Sequence, residues 1–259
     1  MHGEKVGVKL SAILLAGTFA LSIISSGCGI KAVTEGSRSE SYDRLEAEFR
    51  AEVTPPGSVA FWHGPDGIHR AIATSADSDN IVVYDAEKKT VIERIGKPGT
   101  EPGEFNNPGD IQVVDYIAFV LDRGNHRVQA LKLPELKPFG IIGDDRIKDP
   151  SHMAVYRIEQ GAYYLYVADS QAPAGSQRVS GSNSPDHILR FGIGISLSSA
   201  HSGYLQTFGY AADAGYLTGV TSLAVDREKK HLLVTEDASA AGNPRVYTLD
   251  GDFIGKTDD

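Results

Sequence analysis

The 259-residue chain contains one cysteine, one tryptophan and two methionines, and it lacks the motifs that mark several enzyme classes. With a single cysteine, an intrachain disulfide is excluded. The sequence has no H-E-x-x-H zinc motif, no G-x-S-x-G nucleophile motif, no P-loop and no Rossmann glycine pattern. Beyond the N-terminal region, no stretch longer than about a dozen residues keeps a helical hydrophobic period. The sequence therefore gives no support to a zincin, a serine hydrolase, a nucleotide-binding fold or a helix bundle.

Charge excludes a further class of partner. The chain has 34 acidic and 25 basic residues, for a formal net charge of −9. No cluster of lysine and arginine with interleaved aromatic residues is present. Because an acidic surface repels phosphate backbones, we expect no nucleic acid partner.

The N-terminus has the features of a secretion signal. Lys5 and Lys9 precede an apolar run over residues 10–24, which gives way to small residues and then to Cys28. The run is shorter than the roughly 20 apolar residues of a membrane span, so residues 1–27 are predicted to be a signal peptide. The position of Cys28 resembles the lipobox of bacterial lipoproteins, although Ser25 replaces the usual aliphatic residue. The resemblance implies lipidation of Cys28 and anchoring to a membrane of the bacterial cell envelope; a plain signal peptide followed by an incidental cysteine is the alternative.

Residues 28–53 are predicted to be a tether that ends in a short helix. Asp43 and Glu46 have the spacing of a helix-capping pair, and Leu45 and Phe49 fall on one helical face. Such a helix would dock on the domain that follows. A disordered linker is the alternative.

The rest of the chain, residues 54–259, is predicted to be built from repeats. Four short strands each end at a glycine: Gly96, Gly143, Gly209 and Gly255, at intervals of 47, 66 and 46 residues. Within each unit a strand ends in an acidic or hydroxyl residue, over residues 71–74, 118–122, 165–169 and 232–236. Alternating strands precede and follow it, separated by Gly, Asn and Asp turn residues. Four strands in about 45 residues are typical of a β-propeller blade, so we predict an all-β fold with about four recognisable blades.

The second unit resembles a known group of propellers. Its P-G-D-I-Q-V strand at 108–113 and its A-F-V-L-D-R-G-N-H-R-V-Q-A-L segment at 118–131 are similar to phytase-like and NHL-repeat β-propellers. The similarity covers residues 54–255. It implies six blades, and for the true phytases it implies Ca²⁺ ions that bridge acidic side chains and substrate phosphate. Since six blades exceed the four recognised, we expect either a truncated relative or an open or shortened ring.

Most of the charged residues that a phytase needs are missing. The segment 56–62 keeps Trp62 but has no aspartate pair, and the segment 73–76 lacks both an aspartate and a phosphate-binding lysine. Thr221 stands where the family has a calcium-ligating glutamate, whereas the acidic pair Glu236 and Asp237 is retained. These departures predict that phytate hydrolysis is absent.

Two sets of side chains are the candidate site residues. Asp122, Asp169 and Glu236 end equivalent strands, so with Asp237 they are candidate Ca²⁺ ligands; the alternative is that each caps a turn by accepting backbone N–H bonds.

Arg123, Arg127 and Arg245 follow these acids and are candidates for binding an anionic ligand. The alternative is that they form ion pairs across blades. The polar segment 171–185 is either a binding loop or an insertion.

Two functions are consistent with these features. The first is a lipid-anchored envelope β-propeller that acts as a scaffold for a protein or a small anionic ligand. The second is a Ca²⁺-dependent phosphomonoesterase that acts on inositol phosphates.

Overall fold

The described residues form sixteen β-strands in four sheets of four strands each. The structure is a computed structural model and describes residues 57–88, 90–143, 145–170, 186–210, 215–236 and 243–257. The first sheet contains β1 (Val59–His63), β2 (His69–Ser75), β3 (Asn80–Asp85) and β4 (Thr90–Ile95). The second contains β5 (Pro108–Val114), β6 (Ile117–Asp122), β7 (Arg127–Lys132) and β8 (Lys137–Ile142). The predicted signal peptide, Cys28, the tether and residues 171–185 lie outside the described residues.

The third and fourth sheets have the same arrangement, with longer strands in the third sheet and shorter strands in the fourth. The third contains β9 (Pro150–Glu159), β10 (Ala162–Asp169), β11 (His187–Ile195) and β12 (Ala200–Phe208). The fourth contains β13 (Val220–Asp226), β14 (His231–Glu236), β15 (Arg245–Thr248) and β16 (Phe253–Lys256). Every sheet is an antiparallel meander in chain order. The strand positions predicted from alternation are confirmed.

Alternation along each strand gives every inner sheet two apolar faces. In β6, Phe119 and Leu121 pack towards the third sheet, while Ala118 and Val120 pack towards the first. A separate apolar cluster joins the third sheet to the fourth and includes Tyr166. The first strands of the sheets contact one another in the order β1, β5, β9 and β13. The sheets are therefore stacked face to face around their first strands, as propeller blades are.

The glycines that end the units allow the chain to turn towards the next sheet. Gly96, Gly143 and Gly209 have φ values of +95°, +98° and +85°, in the left-handed region that favours glycine. A Cβ atom on Gly96 would lie 2.6 Å from the buried ring of Phe105, and the other two glycines are closed in the same way by Ile147 and Leu217. Each of these glycines thus lets a buried apolar side chain of the next linker pack directly against the turn. Gly255 differs, because it lies inside β16.

No helix in the described part of the chain is long and apolar enough to cross a membrane. The described helical residues are three single 3₁₀ turns, at Pro65–Gly67, Ala76–Ser78 and Arg123–Asn125. The core consequently comes from sheet faces.

Candidate functional site

One side chain near the end of the second strand performs the same task in all four sheets. Its oxygen accepts the backbone N–H of a residue just before the first strand of the same sheet. The four bonds are Ser58 N to Thr74 Oγ1 at 3.0 Å, Asn106 N to Asp122 Oδ1 at 2.8 Å, Lys148 N to Asp169 Oδ2 at 2.6 Å, and Thr218 N to Glu236 Oε1 at 2.8 Å. These residues tie the loop that leads into each sheet to the sheet itself.

Asp122 has the largest set of partners. It is fully buried, and besides Asn106 N its carboxylate accepts hydrogen bonds from Asn125 Nδ2 at 2.9 Å, Arg127 Nε at 2.7 Å and Gln129 Nε2 at 3.0 Å. Both carboxylate oxygens are therefore occupied by protein donors, in a site that water does not reach.

The three candidate arginines have different surroundings. Arg127 donates to Asp122 and also to the carbonyl oxygens of Thr100, Glu101 and Glu104. Arg245 donates from Nε to Glu236 Oε2. Arg123 is exposed, and its aliphatic stem lies over Gly109 at the start of β5. Two of the three guanidinium groups thus form ion pairs with the strand-end acids of their own sheets.

A second group of titratable residues lies at the start of β11 in the third sheet. His187 pairs with Asp169 across β10 and β11 and is 2% exposed, and its Nδ1 atom has no hydrogen-bond partner. The neighbouring Asp186 is 6% exposed and accepts a bond from Val220 N, while its own N–H donates to Leu217 O at 3.2 Å. Asp186 thereby fastens the third sheet to the segment that begins the fourth.

Burial shifts the pKa values of Asp186 and His187 in opposite directions. Burial raises the pKa of Asp186 above its ordinary 3.8, the backbone bond from Val220 opposes the rise, and the charges of Glu236 and Asp169 add to it. Burial lowers the pKa of His187 below its ordinary 6.5, against the opposing charge of Asp169. Both shifts favour the uncharged forms.

The stability of the protein is expected to fall on acidification because of His187. With a lowered pKa, the folded state binds fewer protons at this site than the unfolded state below pH 6.5. The contribution of His187 is therefore complete above that pH and is lost as the pH falls towards the folded pKa. Urea midpoints measured between about pH 7 and about pH 5 should drop less steeply in His187→Gln than in the wild type. The exposed His201→Gln is the control, and an unchanged slope in His187→Gln would contradict the assignment.

The predicted metal ligands do not form a group in the part of the chain that is described. Among those residues, no three or more His, Cys, Asp or Glu side chains are placed to hold a metal ion. Asp122, Asp169 and Glu236 each bind to their own sheet, and Asp237 lies outside the described residues. The oxygens of Asp122, Asp169 and Glu236 already accept protein hydrogen bonds, so a calcium ion would have to compete with these donors.

An apolar hollow at the outer edge of the second sheet has no chemistry of its own. It has a volume of about 350 Å³ and is lined by Pro102 and by residues 138–141 of β8. None of its lining residues is titratable, so the hollow offers no acid, base or nucleophile.

Sequence reasoning missed several residues that connect the sheets. No role was predicted for Asp186 or His187, nor for Tyr166, which donates its hydroxyl to Leu249 O at 2.8 Å. Aligning the repeats on the strand-end acids supplies one signal, because His187 and Arg127 then occupy the same register opposite Asp169 and Asp122. The hydrogen bond of Tyr166 leaves no such signal in the sequence, since 83 residues separate Tyr166 from Leu249.

Comparisons with known proteins return no family. No family model matches the chain, and no curated protein matches it. Among solved structures, the chain is similar to hydrazine synthase from Kuenenia stuttgartiensis, with 14% identity and a TM-score of 0.48, over 86% of this chain and 49% of that one. A structure described as a 6-phosphogluconolactonase from Bacteroides uniformis has 17% identity and a TM-score of 0.49, over 78% and 54% of the two chains.

A structure of a nidogen–laminin complex has 14% identity and a TM-score of 0.46, over 74% of this chain and 60% of that one. The chain thus spans about half to three-fifths of these three structures. Its own sheets carry the architecture: four four-stranded antiparallel sheets, stacked as blades, make it an all-β protein of the β-propeller type.

Proposed function

We propose that this chain is a β-propeller binding scaffold held at a membrane of the bacterial cell envelope by a lipid on Cys28. The observation that carries the scaffold role is the internal use of the strand-end acids. Asp122, Asp169 and Glu236 accept backbone N–H bonds from the loops of their own sheets, so they serve the fold. The anchor rests on the N-terminal sequence alone.

The same observation argues against the calcium-dependent phosphatase. Calcium takes six to eight oxygen ligands, with carboxylates among them. Recruiting Asp122 would strip the bonds from Asn106, Asn125, Arg127 and Gln129, of which the last three lie at buried or half-buried positions. Leaving donors unpaired at such positions costs more free energy than leaving them unpaired at exposed positions, where water can replace the acceptor. A catalytic metal at this position would therefore destabilise the fold.

The binding surface of the scaffold is assigned to the end of the sheets where the second strands finish. Arg123 is exposed there, directly after β6. Loops at one end of a rigid scaffold are common binding positions. An exposed guanidinium suits an anionic partner, either a small molecule or an acidic surface of a protein.

One fractionation and assay tests the proposal. Membrane and soluble fractions are prepared from bacteria that produce the wild-type chain or Cys28→Ser, and both are assayed for phosphate release from phytate with and without millimolar Ca²⁺. We expect the wild type in the membrane fraction, the variant in the soluble fraction, and no calcium-dependent phosphate release from either. Calcium-dependent release would overturn the scaffold role, and retention of Cys28→Ser in the membrane would overturn the anchor.

A further inference from the structure

The first sheet has a second apolar face that points away from the rest of the array. Its strands alternate, so one set of side chains, including Trp62 and Ile72, packs on the second sheet. The other set forms what we term the outer face, which consists of Val59, Phe61, Ala71, Ala73, Val82, Tyr84 and Val91. All seven are apolar or aromatic.

The outer face is covered. Ala71, Ala73 and Val82 are 0% exposed and Tyr84 is 1% exposed, yet the cluster they form draws only on the first sheet among the described residues. A sheet cannot remove its own outward side chains from water, because they stand perpendicular to its plane. A cover for the outer face therefore has to come from outside the first sheet.

The other end of the array lacks such a cover. On the outward face of the fourth sheet, the cross-strand neighbours Ala224 and Leu233 are only half-buried, and the next neighbour, Val246, is 8% exposed. No contact of comparable extent to those between adjacent sheets joins the first sheet to the fourth within the described ranges. Of these two outward faces, only that of the first sheet has side chains that are 0–1% exposed.

We propose that residues 42–53 dock on the outer face as an amphipathic helix. Tyr42, Leu45, Phe49 and Val53 recur at intervals of three, four and four residues, which places them in one stripe of a helix. The segment joins the first sheet directly, since the described chain begins at Gly57 and enters β1 at Val59. The proposal is independent of the scaffold role and of lipidation at Cys28.

Length and connectivity favour this segment over the other gaps in the described chain. Twelve residues of α-helix span about 18 Å, and strands of five to seven residues span about 17–23 Å. The gaps at 171–185, 211–214 and 237–242 are bounded by strands of the third and fourth sheets, and the second sheet stands between the third and the first. The docked segment would cap the first end of the array, as terminal units of repeat proteins require.

Engineered cysteine pairs test the contact directly. Cys28→Ser removes the only cysteine, so a pair can be introduced without competition. We expect Phe49→Cys with Val91→Cys to form an intramolecular disulfide on mild oxidation. Two matched pairs should not: Phe49→Cys with Glu93→Cys, because Glu93 pairs with Val83 on the face towards the second sheet, and Glu48→Cys with Val91→Cys. Equal cross-linking in all three pairs, none in the first, or cross-links between two copies would overturn the proposal.

Hydrogen exchange supplies a second measurement that needs no particular register. In Leu45→Asp/Phe49→Asp, the amides of β2 and β3 should exchange about tenfold faster or more, because the apolar cover is lost. Amides of β10 and β11, two sheets away, should keep their wild-type rates. The double variant Glu46→Gln/Glu48→Gln changes side chains outside the apolar stripe. It should leave the exchange rates of both pairs of strands unchanged. Unchanged exchange in β2 and β3 of the aspartate variant would show that another segment covers the outer face.

Discussion

Asp122→Ala is expected to lower the free energy of unfolding by about 3–5 kcal/mol, the loss typical of removing one member of a buried ion pair. The substitution leaves the buried or half-buried donors of Arg127 and Gln129 without their carboxylate acceptor. It also frees the backbone N–H of Asn106, so the loop into the second sheet loses its tie. Urea unfolding followed by circular dichroism measures the change.

Asp226→Ala is the matched control for this effect. Asp226 also ends a strand and accepts two backbone bonds, from Glu228 N and Lys229 N, but it does so in an exposed turn. We expect a loss of about 1 kcal/mol or less, since water replaces the missing acceptor. Equal losses in the two variants would contradict a structural role for Asp122 and would restore its candidacy as a ligand residue.

Phe119→Ala is expected to cost about 3–5 kcal/mol, as large-to-small substitutions in a core do. Phe119 lies in the middle of β6, is 0% exposed, and meets Tyr163 of the third sheet edge-on with ring centroids 5.7 Å apart. The cavity would open at the interface between the second and third sheets, inside the apolar cluster that both sheets share. The urea midpoint should fall accordingly, with one transition for all sheets.

Ile141→Ala is the control, because it truncates an apolar side chain at an exposed position. Ile141 lies on β8 of the same sheet and is 42% exposed, so its truncation removes little buried surface. The expected loss is about 1 kcal/mol or less. If Phe119→Ala were as mild as this control, the interface between the second and third sheets would not be a packed core.

The order of strands followed from the sequence because its causes are local. Strand β6 could be placed to within one residue from the alternation around Phe119, and the turn at Gly143 from its glycine. The equivalence of Asp122, Asp169 and Glu236 also followed, since each ends the second strand of its sheet. Their roles did not follow, because each acid accepts from a backbone N–H that lies 16 to 21 residues upstream. Their service as calcium ligands stays a prediction.

The candidate arginines show the same division between local and distant information. The pairing of Arg127 with Asp122 spans one hairpin and could be proposed from the repeat, whereas its bonds to the carbonyls of residues 100, 101 and 104 could not. Likewise, the alternation of Arg190 in β11 says nothing of its ion pair with Asp250 at 2.8 Å, which joins the third sheet to the fourth.

By itself, the sequence determined that this protein is a series of four-stranded antiparallel units closed by glycines, because alternation and turn conformation depend on a few consecutive residues. Only the tertiary structure decided which acids are held by their own sheets, where His187 and Asp186 are buried, and that the outer face of the first sheet is covered. Those outcomes depend on hydrogen-bond partners and on burial, and both arise when residues far apart in the chain are brought into contact.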